Sequence, residues 1–269
     1  MRERWSPNAD DRPPGCRVDT LILHYTGMPS AAAALERLCD PAAAVSAHYL
    51  IDEDGSTTRL VPEDRRAWHA GASVWAGRAR LNDCSIGIEL VNPGHEWGYR
   101  PFTEAQYASC IALCRAILER WAIPPHRVLA HSDIAPERKQ DPGELFDWAR
   151  LGAAGIGLWP PSGAGAPRAT GRLQADLARF GYEVTPSGRL DAGTRLVIAA
   201  LQRHFRPTRV DGVPDRETLG RLDGLLARLR VLETAGGRGD IEEGSGGRMA
   251  APGATRGRKV RAPRKHGAG

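Results

Sequence analysis

The sequence predicts a mixed α/β domain, a central sheet flanked by helices, followed by a small C-terminal domain of three helices. Three observations carry that prediction. Short apolar runs of strand type alternate with helical patterns from residue 18 to 157, as in a sheet covered by helices. The stretch "WPPSGAGAPRATG" then interrupts all periodicity and reads as a linker by composition. Beyond it only helical patterns occur, until the chain turns Gly-rich and basic. The predicted organisation is an N-terminal extension (1–17), the α/β domain (18–157), a linker (158–170), the helical domain (171–230) and a disordered basic tail (231–269).

Taken in order, Asp19–His24 reads as a buried strand because its apolar run is continuous. Ser30 is placed to N-cap a helix over "SAAAALERLCD". "SAHYLID" and "EDGSTTRLV" flank Asp54-Gly55, a tight-turn pair, and predict a hairpin. In "CSIGIELV" the period of two sets Ile86, Ile88 and Leu90 on one face and Glu89 on the other. Thr103-Glu104-Ala105-Gln106 fits a capping box and opens a helix to about Trp121, which Pro124-Pro125 ends. "HRVLAHSDI" supplies a short strand ending at His131, and "PGELFDWARL" opens a last helix with Pro142 in its first turn. The helical domain holds a weak internal echo, "SGRLDAGTRLVIAAL" and "DGVPDRETLGRLDGL". In each copy an Asp (Asp191, Asp215) precedes a Thr (Thr194, Thr218) by three residues and reads as an N-cap. With no carboxylate or histidine cluster of its own, this part reads as a binding module.

The bulk composition excludes several classes. At 269 residues, 41% hydrophobic and 26% charged, the chain has the balance of a soluble globular protein. No apolar run approaches the ~20 residues that a membrane-spanning helix needs. The start, "MRERWSPNADDRPPGCR", lacks the apolar stretch of a secretory signal, so a cytoplasmic location is expected, or a periplasmic one if the true start lies upstream. Five cysteines, odd in number and without a CxxC pair, read as small buried apolar residues in a reduced compartment. The net charge of +5 is concentrated in "GRKVRAPRKHGAG", which either solubilises the chain or touches a polyanion. A nucleic-acid partner is not expected to be the main one.

His24 and His131 each close an apolar strand, and Asp141 lies ten residues after the second. Two imidazoles and a carboxylate could form a three-ligand metal site, with the fourth position left for water; hydrogen-bonded core histidines would leave the same pattern.

The segments "LILHYTG", "VSAHYLIDEDG", "AWHAGAS", "LNDCSIGIELVN", "FTEAQY" and "LAHSDIAPERKQDPG" occur in this order. Together they resemble the zinc-dependent N-acetylmuramoyl-L-alanine amidases of the type-2 amidase family, whose fold is similar to that of the peptidoglycan recognition proteins. The resemblance covers residues 18–150, and 171–229 resembles the small helical peptidoglycan-binding module often attached to such enzymes. It implies one Zn²⁺ per chain on His24, His131 and Asp141, Glu89 as the acid/base carboxylate, and Lys139 as the cation that steadies the developing oxyanion. It also implies substrate contacts at His48, Trp68, His69 and Asn82. The implied reaction is hydrolysis of the amide between the lactyl group of N-acetylmuramic acid and L-alanine, in peptidoglycan or (anhydro)muropeptides, during cell-wall recycling. Non-catalytic muropeptide recognition or sensing is the competing expectation, since relatives of that kind lack part of the metal set.

Overall fold

Ten strands and eight α-helices make up the computed structural model, which describes residues 1–242. The strands are β1 (Arg2–Glu3), β2 (Ala9–Asp11), β3 (Thr20–Tyr25), β4 (Tyr49–Ile51), β5 (Thr57–Arg59), β6 (Arg65–Ala67), β7 (Val74–Trp75), β8 (Arg78–Ala79), β9 (Ser85–Leu90) and β10 (Val128–Ala130). The helices are α1 (Ala31–Cys39), α2 (Gly94–Trp97), α3 (Glu104–Trp121), α4 (His131–Ile134), α5 (Trp148–Ala153), α6 (Thr170–Phe180), α7 (Ala192–Phe205) and α8 (Arg216–Glu242). The main sheet runs β1-β5-β4-β9-β3-β10, with β4, β9, β3 and β10 mutually parallel and β4-β5 an antiparallel hairpin.

The period of two decides which face of the sheet each side chain takes. Leu21 and Leu23 of β3 join Ile86, Ile88 and Leu90 of β9 in one core, packed under α3 and α5. The capping box that opens α3 is formed, Thr103 Oγ1 accepting from Gln106 N and Gln106 Oε1 from Thr103 N. Ser30 caps α1, which covers Leu50 and Leu60 on the opposite face.

Ile22 and Leu129, also on that opposite face, belong to a second core shared with the C-terminal helices, among them Leu177, Phe180, Ile198 and Leu222. Trp75 packs edge-on against Phe180 and Tyr182, and a Cβ on Gly181 would lie 2.5 Å from its ring. Met1–Val231 is therefore one compact unit, and the C-terminal helices are part of the wall rather than a separate bead. Segment 158–170, expected as a linker, has no regular structure before α6, yet it is fastened to α8: Arg221 donates to Pro160 O, and Gly165 N to Arg216 O.

Three further expectations change. The extension 1–17 is built into the sheets, with β1 beside β5 and β2 beside β6. Its Arg12 donates to the carbonyls of Glu63, Asn82, Asp83 and Ser85, so a cation replaces water as the partner of four loop carbonyls. The helix expected from Pro142 begins only at Trp148, capped by Asp147, because Gly143 takes a positive φ and Tyr99 Oη holds the preceding turn at Pro142 O and Leu145 N. Finally, α8 does not stop at residue 230 but runs on to Glu242, although Gly236, Gly237 and Gly239 are poor helix formers. The basic stretch beyond, expected to be disordered, lies outside the described residues.

The N-caps of the echo are formed. Asp191 Oδ1 accepts from Thr194 N at 2.8 Å, and Asp215 Oδ1 from Thr218 N at 2.9 Å. A buried Gln from the preceding helix joins each one: Gln174 donates to Thr194 Oγ1 and Gln202 to Thr218 Oγ1.

Candidate metal centre

Parallel strands put their carboxyl ends on one edge of a sheet, where chain leaves the ladder and side chains can converge on a ligand. Here β3 and β9 are in register with His24 opposite Glu89, and β10 lies on the other flank of β3. His24 and Glu89 share the face opposite Leu23 and Ile88, so both point away from the apolar core under α3. His131 follows β10 directly and heads α4 rather than ending the strand. The turn is made by Asp133, whose Oδ2 accepts from Ala130 N at 2.8 Å.

These elements bring His24, His131 and Asp141 together, all buried. His24 Nδ1 lies 2.9 Å from His131 Nδ1, and Asp141 Oδ2 is 3.1 Å and 3.0 Å from the two nitrogens. Two ligands of a tetrahedral ion with bonds of about 2.0 Å are separated by about 3.3 Å, so the triangle has the size a small divalent cation requires. The donor set also fits. His131 Nε2 lies 3.2 Å from Ala70 O, and a carbonyl only accepts, so that nitrogen carries the proton and Nδ1 presents a lone pair. A bare carboxylate and bare imidazole nitrogens face one another at contact distance, an arrangement that a cation resolves.

Electrostatics agree with that reading. Burial, reinforced by His131, pushes His24 down to about 4 despite the nearby Asp141, so its imidazole is neutral at pH 7. Burial alone would raise Asp141, but His131 and His24 overcome it and hold the carboxyl well below the usual carboxylate range. Glu89 moves the other way: burial, then Asp141, raise it well above its ordinary value, with Lys139 opposing. Its Oε2 is buried without a hydrogen-bond partner among the described residues. A group so placed is free to exchange a proton with whatever enters.

A cleft of about 600 Å³ opens at this cluster, its lining including His131, Asp141, Glu89, Lys139, Trp68 and Trp97. The site residues expected from the sequence divide within it. Trp68 borders the cleft, its Nε1 donating to Asp10 at 3.1 Å. His69 borders it too, but both ring nitrogens are used inside the protein, on His24 and Ser85. His48 and Asn82 do not border it and are corrected to supporting roles. His48 is fully buried, accepting from Gly87 N at Nδ1 and donating from Nε2 to Arg65 O. Asn82 Oδ1 accepts from His69 N and Ala70 N, which shapes the loop beneath the histidines.

Among the cleft residues that the sequence motifs did not indicate are Met28, Trp97 and His95. His95, on α2, bridges Tyr25 Oη at 3.0 Å and Glu144 at 3.2 Å and packs over Tyr99 with ring centroids 4.4 Å apart. The signal available in the sequence was "NPGHEW", a turn pair followed by a charged and aromatic group with no apolar periodicity to bury it.

The model of the N-acetylmuramoyl-L-alanine amidase family matches residues 14–144, and that of the "Putative peptidoglycan binding domain" matches residues 169–222. N-acetylmuramoyl-L-alanine amidase AmiD of Escherichia coli is 42% identical over 234 residues, 79% of this chain and 83% of that protein. The 1,6-anhydro-N-acetylmuramyl-L-alanine amidase AmpD of Enterobacter cloacae is 39% identical over 165 residues, 55% of this chain and 86% of that one. Among solved structures, E. coli AmiD in complex with anhydro-N-acetylmuramic acid-L-Ala-D-gamma-Glu-L-Lys matches with a TM-score of 0.72 and 38% identity, covering 81% of this chain and 92% of that one. AmpDH3 of Pseudomonas aeruginosa in complex with anhydromuramic pentapeptide also matches at 0.72, with 34% identity, covering 81% and 94%.

Proposed function

The chain belongs to the N-acetylmuramoyl-L-alanine amidases, and from that premise we propose that its cleft cuts the amide between the lactyl group of N-acetylmuramic acid and L-alanine in anhydromuropeptides, with one zinc ion held by His24, His131 and Asp141. The observation that carries this reading is the triangle of lone pairs no wider than 3.1 Å, with an unpartnered Glu89 oxygen on the same sheet face. Two neutral imidazoles and one carboxylate suit zinc, and three protein ligands are the number found in catalytic rather than structural sites. A bound zinc ion supplies Lewis acidity, which makes water a better acid and a carbonyl a better electrophile.

The protein's own groups then divide the work. Glu89 accepts the proton of the attacking water at its buried carboxylate and returns it to the amine of L-alanine as the C–N bond breaks. Burial raises its proton affinity, which favours holding that proton until the amine leaves. Lys139, on the cleft wall, provides the cation for the negative charge that builds on the lactyl oxygen. Trp68 and Trp97 offer apolar faces on which a sugar ring can stack. The neighbours solved with anhydromuramyl peptides support the anhydro form as substrate, and recycling of wall fragments as the setting. The five free cysteines support a reducing compartment such as the cytoplasm.

Non-catalytic recognition is disfavoured because every group the reaction needs is present. The test is Glu89→Gln. Zinc content by elemental analysis should stay at one per chain, while release of free stem peptide falls about 10²–10⁴-fold. A zinc-loaded variant with normal turnover would remove Glu89 from the reaction.

A further inference from the structure

Histidine has two tautomers, and only a bare Nδ1 on His24 can join the triangle. What sets that tautomer can be read outward from the cleft. His24 Nε2 lies 3.0 Å from His69 Nδ1, and His69 Nε2 lies 3.2 Å from Ser85 Oγ. Ser85 Oγ in turn lies 2.6 Å from Leu81 O. The last link decides the rest. Leu81 O can only accept, so the serine hydroxyl spends its single proton there and must accept from His69. His69 Nε2 therefore carries hydrogen, and a neutral His69 has a bare Nδ1. That nitrogen accepts from His24 Nε2–H, which leaves His24 Nδ1 bare and facing Asp141. A backbone carbonyl thus orders three protons in line.

Steric evidence shows that the chain is built to hold His69 in this place. The face of β9 that carries Glu89 also carries Ser85 and Gly87. A Cβ on Gly87 would lie 2.5 Å from Cγ and Nδ1 of the His69 ring, so only glycine admits the imidazole against the strand. Asn82 Oδ1 grips the backbone of His69 and Ala70. One alternating stretch, Ser85-Gly87-Glu89, thereby supplies the anchor of the relay, the room for it and the carboxylate at the site.

We propose that His69, oriented by Ser85, is a positioning residue that holds His24 in its Nε2–H tautomer and so prepares the metal-binding nitrogen before any ion arrives. The inference rests on the zinc reading above, but the tautomer belongs to the metal-free protein and can be observed there. His69 touches His24 and not the reacting atoms, so it is not a catalytic residue. Outer partners of metal-bound histidines are worth about 10–100-fold in metal affinity.

The experiment is long-range ¹⁵N–¹H NMR on the chelator-treated full chain at pH 7.5, with zinc affinity measured by competition with a chromogenic chelator. In the wild type His24 should show the Nε2–H pattern without metal. His69→Ala should lose that single-tautomer pattern and bind zinc about 10–100-fold more weakly. His69→Gln, whose side-chain carbonyl can accept from His24 Nε2–H, should recover most of the loss. Ser85→Ala removes the anchor while sparing the ring, and should give a mixture of His69 tautomers. A wild-type His24 in the Nδ1–H form, or unchanged zinc affinity in His69→Ala, would overturn the proposal. Zinc failing to bind wild type while His24 shows Nε2–H would leave the relay standing and refute the metal reading instead.

Discussion

Eight residues apart in the chain, Asp133 and Asp141 each end up buried beside histidine, and the two places behave as opposites. Around Asp133 every neighbour donates: Ala130 N at 2.8 Å, Tyr182 Oη at 2.7 Å and His204 Nδ1 at 2.6 Å. Two of those donors come from the C-terminal helical part, and His204 is stacked between Trp148 and Phe205 at 3.7 Å on either side. Around Asp141 the side-chain neighbours are nitrogens that present lone pairs. The first place is a closed joint that ties α4 to the helical part; the second is an open socket. Residue types and burial are alike, so neither distinguishes them. The balance of donors against acceptors does.

The contrast is broken most directly by making the same substitution at both aspartates. Asp141→Asn should lose stoichiometric zinc and cut turnover by about 10³-fold or more, since several kcal/mol of Lewis-acid stabilisation disappear with the ion. Yet the metal-free protein should hold or gain melting temperature, because an amide N–H gives the facing lone pairs a donor. Asp133→Asn should do the reverse. It sets an amide against three donors and should cost about 2–4 kcal/mol of stability in urea unfolding. Equal destabilisation at both positions would abolish the distinction between joint and socket.

Acid sharpens it next. His24 and His48 are held down to about 4 and about 3 by burial first, and His69 lies well below its ordinary value for the same reason. Their folded values lie below the unfolded value near 6.5, so on acidification the unfolded chain takes up protons first. The stability they contribute is complete above about pH 6.5 and is lost as pH falls toward 4, by up to about 1.4 kcal/mol per pH unit for each histidine. Urea midpoints of the chelator-treated protein at half-unit steps should fall through that window. A flat profile from 6.5 to 4 would mean these imidazoles are not buried neutral.

The smallest effect belongs to the joint. Tyr182→Phe deletes one of three donors to Asp133 and should cost about 1–2 kcal/mol, with zinc stoichiometry unchanged. A loss of bound zinc in that variant would show that the joint supports His131 through α4 and is not independent of the socket.

Much of this molecule could be read in one dimension. The apolar run of β3, the alternation of β9, the capping box of α3 and the two Asp N-caps are short-range patterns, and each forms where its residues predicted it. The motifs carried by resemblance point to His24, His131, Asp141, Glu89 and Lys139, which the fold gathers at one cleft. Errors arose where a local pattern met a distant partner. Pro142 opens no helix because Tyr99 claims its turn, and the composition of a linker hid a strap fastened along α8.

By itself, then, the sequence determined what repeats within a turn or a strand: the elements, their apolar faces and the residue types able to hold a metal. Tertiary structure alone decided the use of each histidine. His48 props a strand, His69 orients a neighbour, His204 closes a joint, and His24 and His131 are, among the described residues, the histidines grouped with Asp141 in a metal-sized triangle. The physical reason is that an imidazole's role depends on whether a donor or an acceptor faces each nitrogen. Those partners come from 10 to 117 residues away in the chain, beyond the reach of any local pattern.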